Sequence, residues 1–269
     1  MAEKGDEKIT DVLIRLENVS KTFARRGEEV TAVKDCSFTV RKGEVLTLVG
    51  ASGCGKTTIL NMIAGFTPPS SGAIFLDDAP ITGVEPRCGM IFQSYELFPW
   101  LTVRGNVEFG PKLNGVPKTE RRDLAQEYIK MVGLEGFEDA YPGELSGGMR
   151  QRVALSRAMA NKPEVLLCDE PFAALDAMTR QVMQQELLRI VRQSGQTVLF
   201  ITHSIDEAII LSDRVIVMSA RPGRVKAFYD IELPRPRTVE MQLIEQYMEY
   251  KRKIWSLVEE EVMASIGQR

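Results

Sequence analysis

Hydrophobic positions follow two rhythms along this chain. Val12-Leu-Ile-Arg-Leu-Glu-Asn-Val19 alternates well enough for a strand, and Ala32 to Val40 is a second strand candidate. Arg25-Arg-Gly-Glu-Glu29 reads as a turn between them, so a β-hairpin layer is expected first. Short, almost wholly apolar runs follow: Val45 to Val49, Ala73 to Leu76, Cys88 to Phe92, Val165 to Cys168 and Thr197 to Ile201. Runs of that length, apolar on both faces, predict short buried strands. Arg214 to Met218 and Val225 to Ile231 read as closing strands. Helical spacing appears at Thr58 to Ala64, Thr119 to Met131, Gly148 to Asn161 and Met178 to Arg192, and from Ile205 toward Leu211. Residues 238 to 264 predict a long amphipathic helix with Ile244, Tyr247, Ile254, Val258 and Val262 near one stripe.

Turn signals divide the pattern. Pro68-Pro-Ser-Ser-Gly72 closes the first strand–helix unit, and Pro234-Arg-Pro236 breaks the chain before the last helix. The expected organisation is a flexible leader over residues 1–11, an α/β core formed by 12–93 with 163–237, a helical insertion over 94–162, and a C-terminal amphipathic helix over 238–269.

Composition narrows the function classes. A formal net charge of −3 gives no global basic character, so nucleic acid is not an expected partner. Arg235-Pro-Arg237, with Arg221 and Arg224 nearby, reads as solvated surface. The four cysteines, Cys36, Cys54, Cys88 and Cys168, form no C-x-x-C pair, and there is one histidine; disulfide frameworks and zinc fingers are poor readings. The polar start lacks an apolar signal core, and no stretch approaches the ~20 apolar residues of a membrane span. The expectation is a cytosolic protein unless a partner takes it to a membrane.

The chemistry concentrates at five places. Gly50-Ala-Ser-Gly-Cys-Gly-Lys-Thr57 fits G-x-x-x-x-G-K-[ST], with a strand before it and a helix after it. In that context Gly50, Ala51, Ser52, Gly53, Cys54, Gly55, Lys56, Thr57 and Thr58 form a candidate phosphate cradle. Lys56 would add charge at the β- and γ-phosphates, and the Thr57 hydroxyl would ligate Mg²⁺. Cys54, inside the loop, is expected to react with alkylating reagents unless nucleotide protects it. In Leu145-Ser-Gly-Gly-Met-Arg-Gln151, Ser146 is a natural N-cap, and the helix end makes a second anion site; the plainer reading is a well-capped helix. Asp169 and Glu170 end a buried strand, where Asp169 can hold Mg²⁺ and Glu170 can deprotonate an attacking water. Gln93 ends the Cys88 run, and His203 follows the Thr197 strand, ahead of a capping box at Ser204-Ile-Asp-Glu207. Phe23 is either a core aromatic or a surface on which a base stacks.

In this order the phosphate loop, Gln93, Leu145 to Gln151, Asp169-Glu170, Ala174-Leu-Asp176 and His203 resemble the ATP-binding subunit of an ABC transporter, from about Val12 to Ile231. The resemblance implies a P-loop NTPase core with an N-terminal antiparallel β layer and an inserted helical signature subdomain. It implies ATP and Mg²⁺ as cofactors. Phe23 would stack on adenine, Gln93 would sense Mg²⁺ or water and couple to the membrane partner, and His203 would contact the γ-phosphate. Ser146, Gly147 and Gly148 would clamp ATP bound to a second copy, with Asp176 at the same seam. Ala174 stands where the family frequently has serine, which removes a hydroxyl from that seam. The implied partners are transmembrane permease subunits, a second ATPase subunit and, indirectly, a periplasmic or lipid-anchored solute-binding protein. The implied place is the cytoplasmic face of the inner membrane. Glu96-Leu-Phe-Pro-Trp-Leu-Thr-Val103 and Ser219-Ala-Arg-Pro-Gly-Arg224 resemble the nitrate, sulfonate and taurine group of bacterial importers, implying an oxyanion solute. The competing readings are a non-transport ABC ATPase acting on nucleic acid or ribosomes, and a P-loop GTPase or kinase. The first lacks a coiled-coil insertion or second cassette, and the second rests only on Asn161-Lys-Pro-Glu164.

Overall fold

The computed structural model describes residues 11–25, 28–94, 96–173 and 175–266. In chain order the first elements are β1 (Val12–Arg25), β2 (Glu28–Arg41), β3 (Val45–Val49), α1 (Lys56–Ile63), β4 (Ser71–Leu76), β5 (Ala79–Pro80), β6 (Cys88–Ile91), α2 (Val103–Leu113) and α3 (Lys118–Met131). They are followed by α4 (Gly147–Ala160), β7 (Val165–Asp169), α5 (Ala177–Ser194), β8 (Thr197–Ile201), α6 (Ile205–Leu211), β9 (Arg214–Met218), β10 (Val225–Asp230) and α7 (Glu245–Ile266). The expected leader falls almost wholly outside the described residues. The chain divides into two compact units, Met1–Glu85 with Thr202–Arg269, and Pro86–Ile201.

In the first unit an antiparallel sheet runs β2-β1-β4-β5. The hairpin is longer than the alternation at Val12 to Val19 predicts: Thr22, Phe23 and Ala24 pair with Thr31, Val30 and Glu29. Cross-strand partners carry the ladder on where the apolar period fades. Beside it β3 pairs in parallel with β9, and β9 antiparallel with β10. Every residue of β3 is buried, as a strand covered on both faces requires. α6 and α7 pack against this unit. Tyr247 and Ile254 of α7 are fully buried, and the Tyr247 hydroxyl donates to Asp206 Oδ1 at 2.8 Å. The final helix starts later than predicted. A 3₁₀ turn over Val239–Leu243 ends at Ile244, which is extended (φ −82°, ψ 147°), and α7 begins only at Glu245. Ile244 and Val262, placed by the sequence on the packing stripe, are 39% and 37% exposed.

In the second unit three parallel strands run β6-β7-β8, with Ile91 opposite Cys168 and Cys168 opposite Phe200. The helices α2, α3 and α4 pack on one another. Asn106, fully buried on α2, donates from Nδ2 to the carbonyls of Phe98, Leu101 and Thr102 and accepts from the Phe98 N–H at 2.9 Å. One amide side chain thus satisfies the irregular turn that leads into the helix.

Candidate functional site

The loop between β3 and α1 is shaped by glycine. Gly55 has φ +90°, and a Cβ there would lie 2.7 Å from Val33 Cγ2 and 2.8 Å from the Ala32 carbonyl. Only glycine allows both that dihedral and that approach. The Lys56 ammonium is buried and bonded to the loop itself, donating to the Gly50 carbonyl at 2.8 Å and the Ala51 carbonyl at 3.1 Å. A cation held by carbonyls across a glycine turn can exchange those partners for an anion's oxygens at small reorganisation cost. Ser52, Gly53 and Thr57 are exposed at the loop surface. This cradle is open, glycine-built and cationic, which fits a nucleotide's phosphates.

Cys54 departs from its expected reactivity. Its thiol is fully buried, and burial pushes its pKa up, with the Lys56 ammonium pulling the other way. A protonated, inaccessible thiol is a poor nucleophile, so the expectation of ready alkylation is overturned. Phe23 is 43% exposed on β1, with Lys21 Nζ 5.2 Å from its ring centroid, so the core-aromatic reading does not hold. The Thr202 N–H reaches the Leu48 carbonyl at 3.4 Å, two residues before Gly50. The exposed His203 therefore follows at the same end of β3 as the phosphate loop. The capping box is present: Ser204 Oγ accepts from the Glu207 N–H at 3.3 Å.

The second unit brings two further groups together. Because β6 and β7 run parallel in register, Gln93 and Glu170 leave the same carboxyl edge. Gln93 Nε2 donates to Glu170 Oε2 at 3.3 Å. Glu170 takes positive φ (48°), and its N–H donates to the Ile201 carbonyl at 3.1 Å. A non-glycine residue in that region is held by its surroundings, a common state at working carboxylates. Asp169, the last residue of β7, is buried. The other group lies around the start of α4. Ser146 Oγ accepts from the Met149 N–H at 3.2 Å, capping the helix as expected. A Cβ on Gly148 would stand 3.0 Å from Leu175 Cδ2, so the Ser146–Gly147–Gly148 turn sits against the segment that ends in Asp176. Asp176 caps α5 through the Thr179 N–H at 3.0 Å, and those hydrogen bonds hold its carboxyl below the usual range. Ala174 lies outside the described residues. Arg221, read from the sequence as solvated surface, stands beside Gly53; a Cβ there would be 3.7 Å from its Nη2. Only a tertiary contact reveals that neighbour.

Comparison with known proteins follows the same lines. The family model described as "ABC transporter" matches residues 33–173. An uncharacterized ABC transporter ATP-binding protein of Methanocaldococcus jannaschii is 50% identical over 268 residues, covering 98% of this chain and 99% of its own length. The nitrate import ATP-binding protein of Synechocystis is 43% identical over 251 residues, covering 91% of this chain and 94% of its own. A solved dimeric ATP-binding cassette, in a post-hydrolysis state bound to ADP and phosphate, superposes with a TM-score of 0.74 at 33% identity. The superposition covers 82% of this chain and all of that one. The fold is therefore that of an ABC ATPase, and the chain belongs to the ABC transporter family as an ATP-binding, ATP-hydrolysing subunit.

Proposed function

We propose that the chain drives import of a small oxyanion, working as a pair of cassettes beneath a membrane permease. The observation that carries the catalytic part is the hydrogen bond from Gln93 to Glu170 at the carboxyl edge of β6 and β7. An amide donor orients the carboxylate, whose role is to accept a proton from water. Bound ATP supplies the phosphoanhydride whose hydrolysis powers transport. The chain's residues do the rest. Backbone N–H groups from Gly50 to Thr58 cradle the phosphates, Lys56 exchanges its loop carbonyls for phosphate oxygens, and the exposed Phe23 ring offers a face to adenine. Thr57, Gln93 and Asp169 supply the kind of oxygen donors Mg²⁺ takes. Among the described residues no group of three or more His, Cys, Asp or Glu could hold a metal; with ATP bound, phosphate oxygens and water would be further donors to the ion. His203 donates to the terminal phosphate. Ser146, Gly147, Gly148 and Asp176 act on nucleotide held by a second copy. The dimeric state of the solved cassette supports that arrangement.

Residues 94–162 serve as the helical signature subdomain. No described helix is long and apolar enough to cross a membrane, so the permease would hold the chain at the cytoplasmic face, with a solute-binding protein acting from the other side. The oxyanion rests on Glu96 to Val103, on Ser219 to Arg224, and on the nitrate import relative.

Glu170→Gln keeps the shape and the Gln93 contact but removes the proton acceptor. Hydrolysis should fall roughly a hundredfold or more while Mg-ATP binding persists. Undiminished turnover would remove Glu170 from the role of base.

A further inference from the structure

Ser219 to Arg224, the turn between β9 and β10, is fastened on three sides. It closes on itself: the Ser219 N–H donates to the Arg224 carbonyl at 2.9 Å, and Ser219 Oγ accepts from the Arg224 N–H at 3.0 Å. It is stitched to β2, with Gly223 N–H donating to the Ala32 carbonyl at 2.9 Å and Lys34 N–H to the Gly223 carbonyl at 2.9 Å. It presses on the phosphate loop so closely that a Cβ on Gly223 would stand 2.0 Å from the Cys54 carbonyl oxygen. From α7, Glu261 Oε2 accepts from the Ala220 N–H at 2.8 Å, while its other oxygen pairs with Lys226 at 2.7 Å. The backbone on both sides of Arg221 is therefore fixed relative to Gly50–Thr57.

The two arginines of this turn are used differently. Arg224 pairs with Asp35 at 3.3 Å. Arg221 has no hydrogen-bond or ion-pair partner among the described residues, is exposed, and holds a positive φ of 25°. Its Nη2 and Nε lie 3.7 and 4.0 Å from the Cβ position of Gly53. An unpaired guanidinium beside a glycine cradle presents donors that match phosphate oxygens, and it adds to the positive potential that Lys56 and the start of α1 provide. We propose that Arg221 is a nucleotide-binding residue whose guanidinium contacts the phosphates held by the Gly50–Thr57 loop, on a turn that Glu261 and Gly223 hold in place. This rests on the reading of that loop as the ATP cradle.

The test uses the full chain with Mg²⁺ and a fluorescent mant-ATP, titrated over a range of KCl, alongside thermal melts without nucleotide. Arg221→Gln should weaken mant-ATP about tenfold, the size of one charge-assisted hydrogen bond. It should also flatten the dependence of affinity on salt and leave the nucleotide-free melting temperature unchanged. Arg221→Lys should keep the wild-type salt dependence and recover part of the affinity. Wild-type affinity in Arg221→Gln, beside a wild type that binds, overturns the contact alone. A loss of affinity with unchanged salt dependence and a lowered melting temperature also overturns it, because that is damage to the turn. A wild type that binds no mant-ATP overturns the cradle reading and the contact with it.

Discussion

Single side chains in this protein are governed by how their neighbours treat charge. Lys56 remains satisfied although buried because two loop carbonyls accept from it. The thiols show the opposite case. Cys36 and Cys168 are fully buried, and burial pushes the Cys36 pKa up to about 12 from its ordinary 9.0; the Cys168 thiol is raised by burial and by the Asp169 carboxylate. The folded chain therefore holds these protons more tightly than the unfolded chain. The stability this brings is complete below about pH 9 and is lost as pH rises through the folded value. Urea unfolding should show falling stability from about pH 9 toward pH 12, with a shallower fall in Cys36→Ala after correction for the cavity. Native alkylation should leave Cys54 largely unmodified at neutral pH, whether or not nucleotide is present. The phosphate-loop residues were legible because the glycine spacing acts locally. The burial of Cys54 was not, since it depends on packing around the loop, where the remote Gly223 backbone lies against the Cys54 carbonyl.

At the level of elements, caps and buried strands were readable because their determinants lie within a few residues. Ser146, Ser204 and Asp176 all accept from the N–H three residues on. The start of the last helix was misplaced, because apolar spacing runs continuously through residues 238 to 264 while the backbone breaks at Ile244. What holds α7 down is tertiary. α7 packs on α6 and β9, Tyr247 and Ile254 are fully buried, the Tyr247 hydroxyl donates to Asp206, and Lys251 pairs with Asp206 at 2.8 Å. Just upstream the buried Arg237 donates to the carbonyls of Leu233, Ile209, Ser212 and Ile231. Ile254→Ala should cost about 2–4 kcal/mol in denaturant unfolding, whereas truncating the exposed Trp255 should cost less than about 0.5 kcal/mol. Equal losses would mean that α7 buries a different face.

On the scale of the whole molecule, the family was legible and the pairing of its working groups was not. Gln93 and Glu170 are 77 positions apart, and parallel register is what aligns them. Ser146 to Gly148 and the phosphate loop lie in different compact units, and the dimer reading gives each a role on a shared nucleotide. A Glu170→Gln chain with Mg-ATP should shift toward a dimer in sedimentation velocity, and replacing Ser146 by Arg should abolish that shift while nucleotide still binds. A chain monomeric under both conditions would count against ATP-dependent pairing. One further property belongs to the molecule as a whole. Its single imidazole, His203, is exposed at the phosphate-loop end of β3. The protein thus carries a native spectroscopic label: one pair of histidine ring-proton resonances, with no second histidine to confuse the assignment, placed to report on that edge when nucleotide is added.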